Sequence, residues 1–343
     1  MAGSSYKPSL ATAVIIANMI GTGVFTSLGY QLLDIKSGFV LIMLWVVGGI
    51  TALCGALTYA ELGAALPRSG GEYNFLTRIY HPLVGFISGW ISATIGFAAP
   101  VALAAITFGS YLGAAFPSFD KTWLAIGLII AVTVAHVGGR QRSSNFQSVF
   151  TAAKISLIVA FCLLCGFMVD EVQPISFLPQ SGDGALMISS AFAVSLIYVN
   201  YAYTGWNSVT YLINEVDDAQ RNLPKILITS TVTVLILYVA LNFTFLLVAP
   251  MEAMEGRVEV GYIAAQHVFG ETGASAISFV LSLLLISTVS AMTIAGPRVL
   301  QVIGEDYSVF GRLARKNADG IPSLAILVQS TIAIIFVLTS SFE

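Results

Sequence analysis

The sequence predicts an all-α polytopic membrane protein, and three observations predict it. Hydrophobic residues make up 57% of the 343 positions and charged residues only 10%, where a soluble domain carries roughly 45–50% and about 25%. Charge-free stretches of about 20 residues recur, each long enough to cross roughly 30 Å of hydrocarbon as a helix. Glycine-bearing interruptions fall inside the first and the sixth of these stretches. The composition excludes a soluble enzyme and a disordered chain. A formal net charge of -3, from 15 basic and 18 acidic residues, leaves no basic footprint for nucleic acid.

Nine spans are expected, with cores at Leu10–Leu33, Phe39–Leu66, Leu83–Phe116, Trp123–Val137, Phe146–Met168, Leu186–Leu212, Ile226–Ala249, Ala274–Ile303 and Ile321–Thr339. Glu61, Lys154 and Arg298 are the charged residues within them. No cleavable signal is expected, because Met1–Ser9 carries one lysine and the first apolar run is long enough to span. The third gap, free of Asp, Glu, Lys and Arg from His81 to Asp120, accommodates one long helix or two short ones. Charge segregation decides for one helix, bent at Pro100. With the N-terminus cytoplasmic, Lys7, Arg68, Arg78, Arg140, Arg142, Arg221, Lys225, Arg298, Arg312, Arg315 and Lys316 fall inside, against Lys36, Lys121 and Arg257 outside. The expected location is the plasma (inner) membrane, with the chain threaded many times through the lipid bilayer.

Small residues supply the packing surface between such helices, since lipid is as apolar as leucine. Gly48, Ala52, Ala56, Ala60 and Ala64 form a four-residue-period ridge on the second span, and Gly85, Gly89 and Ala93 repeat it on the third. Cys162 and Cys165 have the spacing of a redox or zinc pair but sit mid-span without a partner histidine, and His81, His136 and His267 are dispersed. No metal site or cofactor is expected. No nucleophile elbow, Walker loop or dinucleotide fingerprint appears either, so the chain is not read as an enzyme.

The interruptions carry the functional signal. Asn18-Met19-Ile20-Gly21-Thr22-Gly23-Val24-Phe25 puts two glycines at mid-membrane depth, and Asn200-Tyr201-Ala202-Tyr203-Thr204-Gly205-Trp206-Asn207 repeats the theme five spans later. Five-span inverted repeats break the first helix of each half at the midplane and use the freed backbone as a binding site. Such ends face a cavity, because bare amides and carbonyls are not tolerated against lipid. A half-helix N-terminus suits a carboxylate, and a half-helix C-terminus offers carbonyls to an ammonium. Together they fit the zwitterionic head of an amino acid.

The motifs resemble those of the amino acid–polyamine–organocation transporter superfamily, within it the bacterial relatives of the L-amino-acid transporter branch. Ile20-Gly21-Thr22-Gly23-Val24-Phe25 matches the unwound first helix. Tyr59-Ala60-Glu61-Leu62-Gly63 and Pro67-Arg68-Ser69-Gly70-Gly71-Glu72-Tyr73 match the second helix and its cytoplasmic loop. Phe150-Thr151-Ala152-Ala153-Lys154 matches the fifth helix, and Tyr201 to Asn207, Glu215 and Arg221-Asn222-Leu223-Pro224 match the sixth and its exit loop. The resemblance implies a LeuT-type five-plus-five inverted-repeat bundle with discontinuous helices 1 and 6. As one transmembrane domain over 1–343, it comprises a first repeat in 1–170 and an incomplete second in 184–343.

It also implies roles for particular residues. Amides around Gly21, Thr22 and Gly23 would hold the substrate carboxylate, and carbonyls near Ile20, Tyr201, Ala202 and Thr204 the α-ammonium, with Val24 and Gly205 also in the substrate-binding set. Tyr201 stands where relatives place an aromatic gate, and Trp206 is read as packing. Lys154 replaces a coupling cation and is expected to tie the fifth helix to the unwound first helix and to Ser287 or Ser290. Glu61 is expected to pair with Arg68 or Arg78. Glu215, Asp217, Asp218 and Arg221 are read as a solvated cytoplasmic loop, Tyr238 as facing the site, and Asn242 as an interhelical donor.

The expected function is alternating-access amino acid transport by sodium-independent exchange or by facilitated or proton-linked uptake. A cationic amino acid or polyamine carrier is an alternative, as is a truncated, non-transporting sensor or scaffold. Relatives have twelve spans, so the end at Glu343 reads as the end of a fragment lacking one to three helices. With no cysteine in an extracellular loop, no disulfide-linked accessory subunit is expected.

Overall fold

A computed structural model describes residues 6–115 and 118–339, mostly as helix. In chain order the helices are α1 (Pro8–Met19), α2 (Gly23–Gln31), α3 (Gly38–Ala65), α4 (Glu72–Ile79), α5 (Pro82–Ile91), α6 (Ala99–Ala115), α7 (Lys121–Val137) and α8 (Arg140–Met168). The remainder are α9 (Asp183–Met187), α10 (Ser190–Tyr203), α11 (Ala219–Val248), α12 (Met251–Met254), α13 (Val260–Ala295), α14 (Pro297–Asp306) and α15 (Ser323–Thr339).

Local chemistry sets the ends. Proline opens α1, where its missing N–H costs nothing. Ser37, Asp120 and Ser189 cap α3, α7 and α10 with side-chain oxygens on first-turn amides. α5 and α6 join through one π-helical turn, Ser92–Ala98, so the third charge-free gap is one continuous helix, irregular just before Pro100.

By length and composition, six segments can cross a membrane: Pro8–Gln31, Gly38–Ala65, Pro82–Gly113, Gln141–Met168, Ala219–Val248 and Val260–Asp306. The count of nine included shorter elements. The expected fourth and ninth spans are the 17-residue apolar helices α7 and α15, and the sixth is divided between α10 and a 3-10 segment, Ser208–Glu215.

The ridge on α3 seats α10 and α11. A side chain at Gly48 would come within 2.4 Å of Val199. This contact buries Trp45, whose ring meets Tyr238 edge-on at 5.4 Å. α1 lies at the centre, packed against α8, α11 and α13. The helix carrying the first interruption is therefore surrounded by protein, and Val14, Ile15 and Ala17 are fully buried.

Candidate functional site

The first interruption lies at residues 20–22, between α1 and α2. In an unbroken helix the amide of Gly21 would serve the carbonyl of Ala17, but here it turns back to Met19 at 2.9 Å. Lys154, reaching across from α8, supplies what the break removes. Its Nζ donates to Ala17 O (3.3 Å), Ile20 O (2.6 Å) and Thr288 Oγ1 (2.7 Å). Thr288 spends its own proton on Ile20 O at 2.9 Å. Three acceptors thus meet the three protons of an ammonium. On the α2 side, Thr22 makes no side-chain cap, and among the described residues no backbone acceptor serves the amides of Thr22, Gly23 and Val24. These are the bare donors of a helix N-terminus.

The second interruption follows α10. The chain turns out at Thr204 (ψ 148°) and passes through Gly205 at φ +108°, a conformation that only glycine adopts at little cost. A Cβ on Gly205 would stand 3.0 Å from the Asn18 carbonyl, and one on Gly23 would stand 3.0 Å from Ala202 Cβ, so the two breaks lie back to back. The Tyr238 hydroxyl joins them, contacting Met19 O at 2.7 Å and Ala202 O at 2.9 Å.

A cavity of about 420 Å³ opens over this junction, lined by Gly21, Thr22 and Gly23 from one break and by Tyr201, Ala202, Thr204 and Gly205 from the other. The π turn and the start of α6 form its apolar wall through Ile95, Phe97, Pro100 and Leu103. A wider vestibule of about 1340 Å³, bordered by Lys121, Arg257 and Glu259, shares Thr22, Gly23, Leu103 and Tyr201 with it. Tyr201, 53% exposed, stands between the two spaces.

The opposite side is closed by ion pairs. Arg298 donates to Glu215 at 2.8 and 3.2 Å, with both residues buried. Tyr6 adds backbone hydrogen bonds on either side of Val216. Nearby, Arg68 grips Asp306 with two bonds of 2.8 and 3.0 Å, and Tyr73 donates to the same carboxylate at 2.6 Å. The hydrogen bond to Asp306 raises the Arg68 pKa above its ordinary value.

Several sequence expectations change. The hydroxyl that meets Lys154 belongs to Thr288. Ser287 instead bonds within its own helix to Leu284 O, and Ser290 bonds Gln147 and His136. One residue along a helix rotates a side chain by about 100°, so only one of these neighbours faces the lysine. The Ile20 carbonyl is already occupied by two donors, and the Ile20 and Val24 side chains are buried away from the cavity lining. Glu61 is exposed, and Arg68 turns to Asp306. Glu215 is a buried ion-pair partner, not part of a solvated loop. Asn242 donates to Tyr238 O within its own helix. Trp206 packs edge-on against Tyr59 at 4.9 Å.

Glu72 was not anticipated in the site. It lines the cavity, with its carboxylate accepting from Asn207 Nδ2 at 2.5 Å and from the Tyr211 hydroxyl. The Gly70-Gly71 pair preceding it is the only sequence signal that the chain turns sharply there. No group of three or more His, Cys, Asp or Glu side chains arranged to hold a metal occurs among the described residues.

Two broken helices meeting over a shared cavity, within a bundle of long apolar helices, define a multi-pass integral membrane protein of a transporter type. The sequence profile of the amino acid permease family matches residues 9–342, and the chain belongs to that family. It is 28% identical over 339 residues to the b(0,+)-type amino acid transporter 1 of Mus musculus, covering 95% of this chain and 68% of that protein. Identity is also 28%, over 352 residues, to the Asc-type amino acid transporter 1 of Homo sapiens, with 95% and 64% covered. The large neutral amino acids transporter small subunit 2 of Oryctolagus cuniculus is 26% identical, with 94% and 62% covered. The chain therefore spans about two thirds of the length of these relatives. Among solved structures, a Na+-coupled sialic acid symporter in its substrate-bound outward-open state shares the fold, with a TM-score of 0.65 at 12% identity, covering 98% of this chain and 75% of that one.

Proposed function

We propose that the chain moves amino acids across the plasma membrane by alternating access, as a sodium-independent exchanger. The observation that carries this reading is the pair of breaks placed back to back over one cavity, with the Thr22, Gly23 and Val24 amides left bare. A substrate carboxylate matches those amides, and its α-ammonium matches the C-terminal end of α10, where the Ala202 carbonyl accepts a single bond, from Tyr238. Lys154 supports sodium independence because its ammonium fills the space between α1, α8 and α13. The wall of Ile95, Phe97 and Leu103 favours an uncharged side chain.

Residues 1–170 and 184–343 belong to two inverted repeats in this reading, and nine spans cross the bilayer. The charge segregation supports an N-terminus in the cytoplasm. The vestibule beside Lys121 and Arg257 then opens outward, and the Arg298–Glu215 side is the closed inner gate.

The test is uptake of labelled leucine into proteoliposomes holding the purified chain. Exchange predicts that uptake rises when unlabelled leucine is loaded inside and is indifferent to replacing sodium with choline. Uptake that requires a sodium gradient, or binding without flux, overturns it.

A further inference from the structure

Of the described residues lining the 420 Å³ cavity, Glu72 is the one with a formal charge, and no lysine or arginine pairs with it. The other carboxylates on the closed side behave differently: Glu215 is held by Arg298, and Asp306 by Arg68. Glu72 relies on neutral donors, Asn207 and Tyr211, which lie two and six residues beyond Gly205 and also line the cavity. A half-buried carboxylate with neutral donors alone, and no cation beside it, is costly. Its bonds must secure something.

They secure the floor. Gly70 and Gly71, at φ +111° and +53°, turn the chain so that Glu72 faces the irregular segment after Gly205. A Cβ on Gly71 would lie 2.6 Å from the Tyr211 ring, so the two segments are in direct contact. Below Glu72 the same loop grips the same segment again. Gly71 N donates to Thr210 O at 3.2 Å, Ser69 N to Asn214 Oδ1 at 3.0 Å, and Asn214 N to Ser69 Oγ at 3.0 Å. Of these links, only the Glu72 pair is in the cavity lining on both sides.

We propose that Glu72 is a positioning residue for alternating access. By holding Asn207 and Tyr211, it keeps the inner half of the sixth span against the Arg68–Tyr73 loop, and these are the first bonds to break when the cavity opens inward. The proposal rests on the transport reading above, but its principal readout needs no flux.

That readout is modification of a cysteine placed at Ser208, which follows Asn207, is fully buried and lies outside the cavity lining. In the purified chain, labelling by a methanethiosulfonate reagent is corrected for that of the chain keeping Ser208, to subtract Cys54, Cys162 and Cys165, and Ser208→Cys with Glu72 intact is the parent. Glu72→Gln is expected to accelerate labelling at least about tenfold, since bonds to a charged acceptor are lost. Asn207→Ala and Tyr211→Phe each accelerate it less, and each has little further effect in the Glu72→Gln background, because the three act as one unit. If Glu72→Gln does not accumulate, the two single-bond variants still report. Glu72→Asp, which restores the charge, slows labelling again relative to Glu72→Gln, and exchange by Glu72→Gln shows a changed KM for internal substrate with little change for external. Labelling within twofold of the parent in all three variants overturns the proposal, as does full additivity. Loss confined to uptake of lysine, with labelling unchanged, overturns it in favour of a direct substrate contact. Absent flux with accelerated labelling refutes the transport reading alone.

Discussion

Replacing Lys154 with methionine keeps an unbranched side chain one atom shorter and removes its donors. The wild-type Nζ serves three oxygens, and two of them are backbone carbonyls exposed by the break in the first span. Without the amine, Ala17 O loses the partner that replaced Gly21 N, while Ile20 O keeps only Thr288. An orphaned buried acceptor costs about 1–3 kcal/mol and the loss of one of two bonds about 0.5–1.5, so the deficit is about 1.5–4.5 kcal/mol. At 1.4 kcal/mol per decade, the population with a correctly shaped break falls roughly ten- to a thousandfold. The expected result is a matching rise in the apparent KM for external leucine, with a lowered Tm for the purified chain. Thr288→Val, which leaves both carbonyls with Lys154, falls between the two. Proteoliposome exchange and a thermal-unfolding scan measure both quantities. Lys154→Met with KM within twofold of wild type and an unchanged Tm would refute the reasoning.

Gly205→Ala forces a side chain into φ +108° against Asn18, at a cost of about 1–3 kcal/mol, and is expected to abolish exchange while the helix content by circular dichroism stays the same. Arg298→Gln takes the guanidinium from the buried Glu215 carboxylate and is expected to destabilise the chain by about 3–5 kcal/mol, whereas Arg298→Met combined with Glu215→Leu is much milder; thermal unfolding of the three proteins checks this. Tyr238→Phe removes the hydroxyl shared by Met19 and Ala202, costs about 1–3 kcal/mol, and is expected to raise KM more than it lowers kcat, as read from exchange kinetics.

Both breaks were legible in the sequence because glycine inside an apolar run is a local signal, and Gly21, Gly23 and Gly205 sit at or beside the points where the helices part. The single long third span was legible from the placement of charges. What escaped depended on partners distant in the chain. Glu215 reads as part of a polar loop beside Asp217 and Asp218, and nothing local reveals that Arg298, 83 residues away, will bury it. Thr288 is indistinguishable in type from Ser287 and Ser290, and only the rotation of α13 selects it. Glu72 looks like one more loop carboxylate until the Gly70-Gly71 turn brings it to Tyr211.

The π turn at Ser92–Ala98 makes the shape of the cavity a matter of phase. A π turn holds one residue more than the α-helical turn it replaces and takes up that residue locally. Were the same residues to run on as regular α-helix, everything after the turn would be rotated by about 100°. Pro100, Leu103 and Ala104, which now face the ligand space, would turn toward neighbouring helices, and other side chains of α6 would take their place without one of them having been substituted. The wall of this cavity is thus written in helical frame as well as in residue type. A one-codon deletion inside the turn, which removes the extra residue, would leave that wall facing the ligand, whereas the same deletion in a regular helix would not.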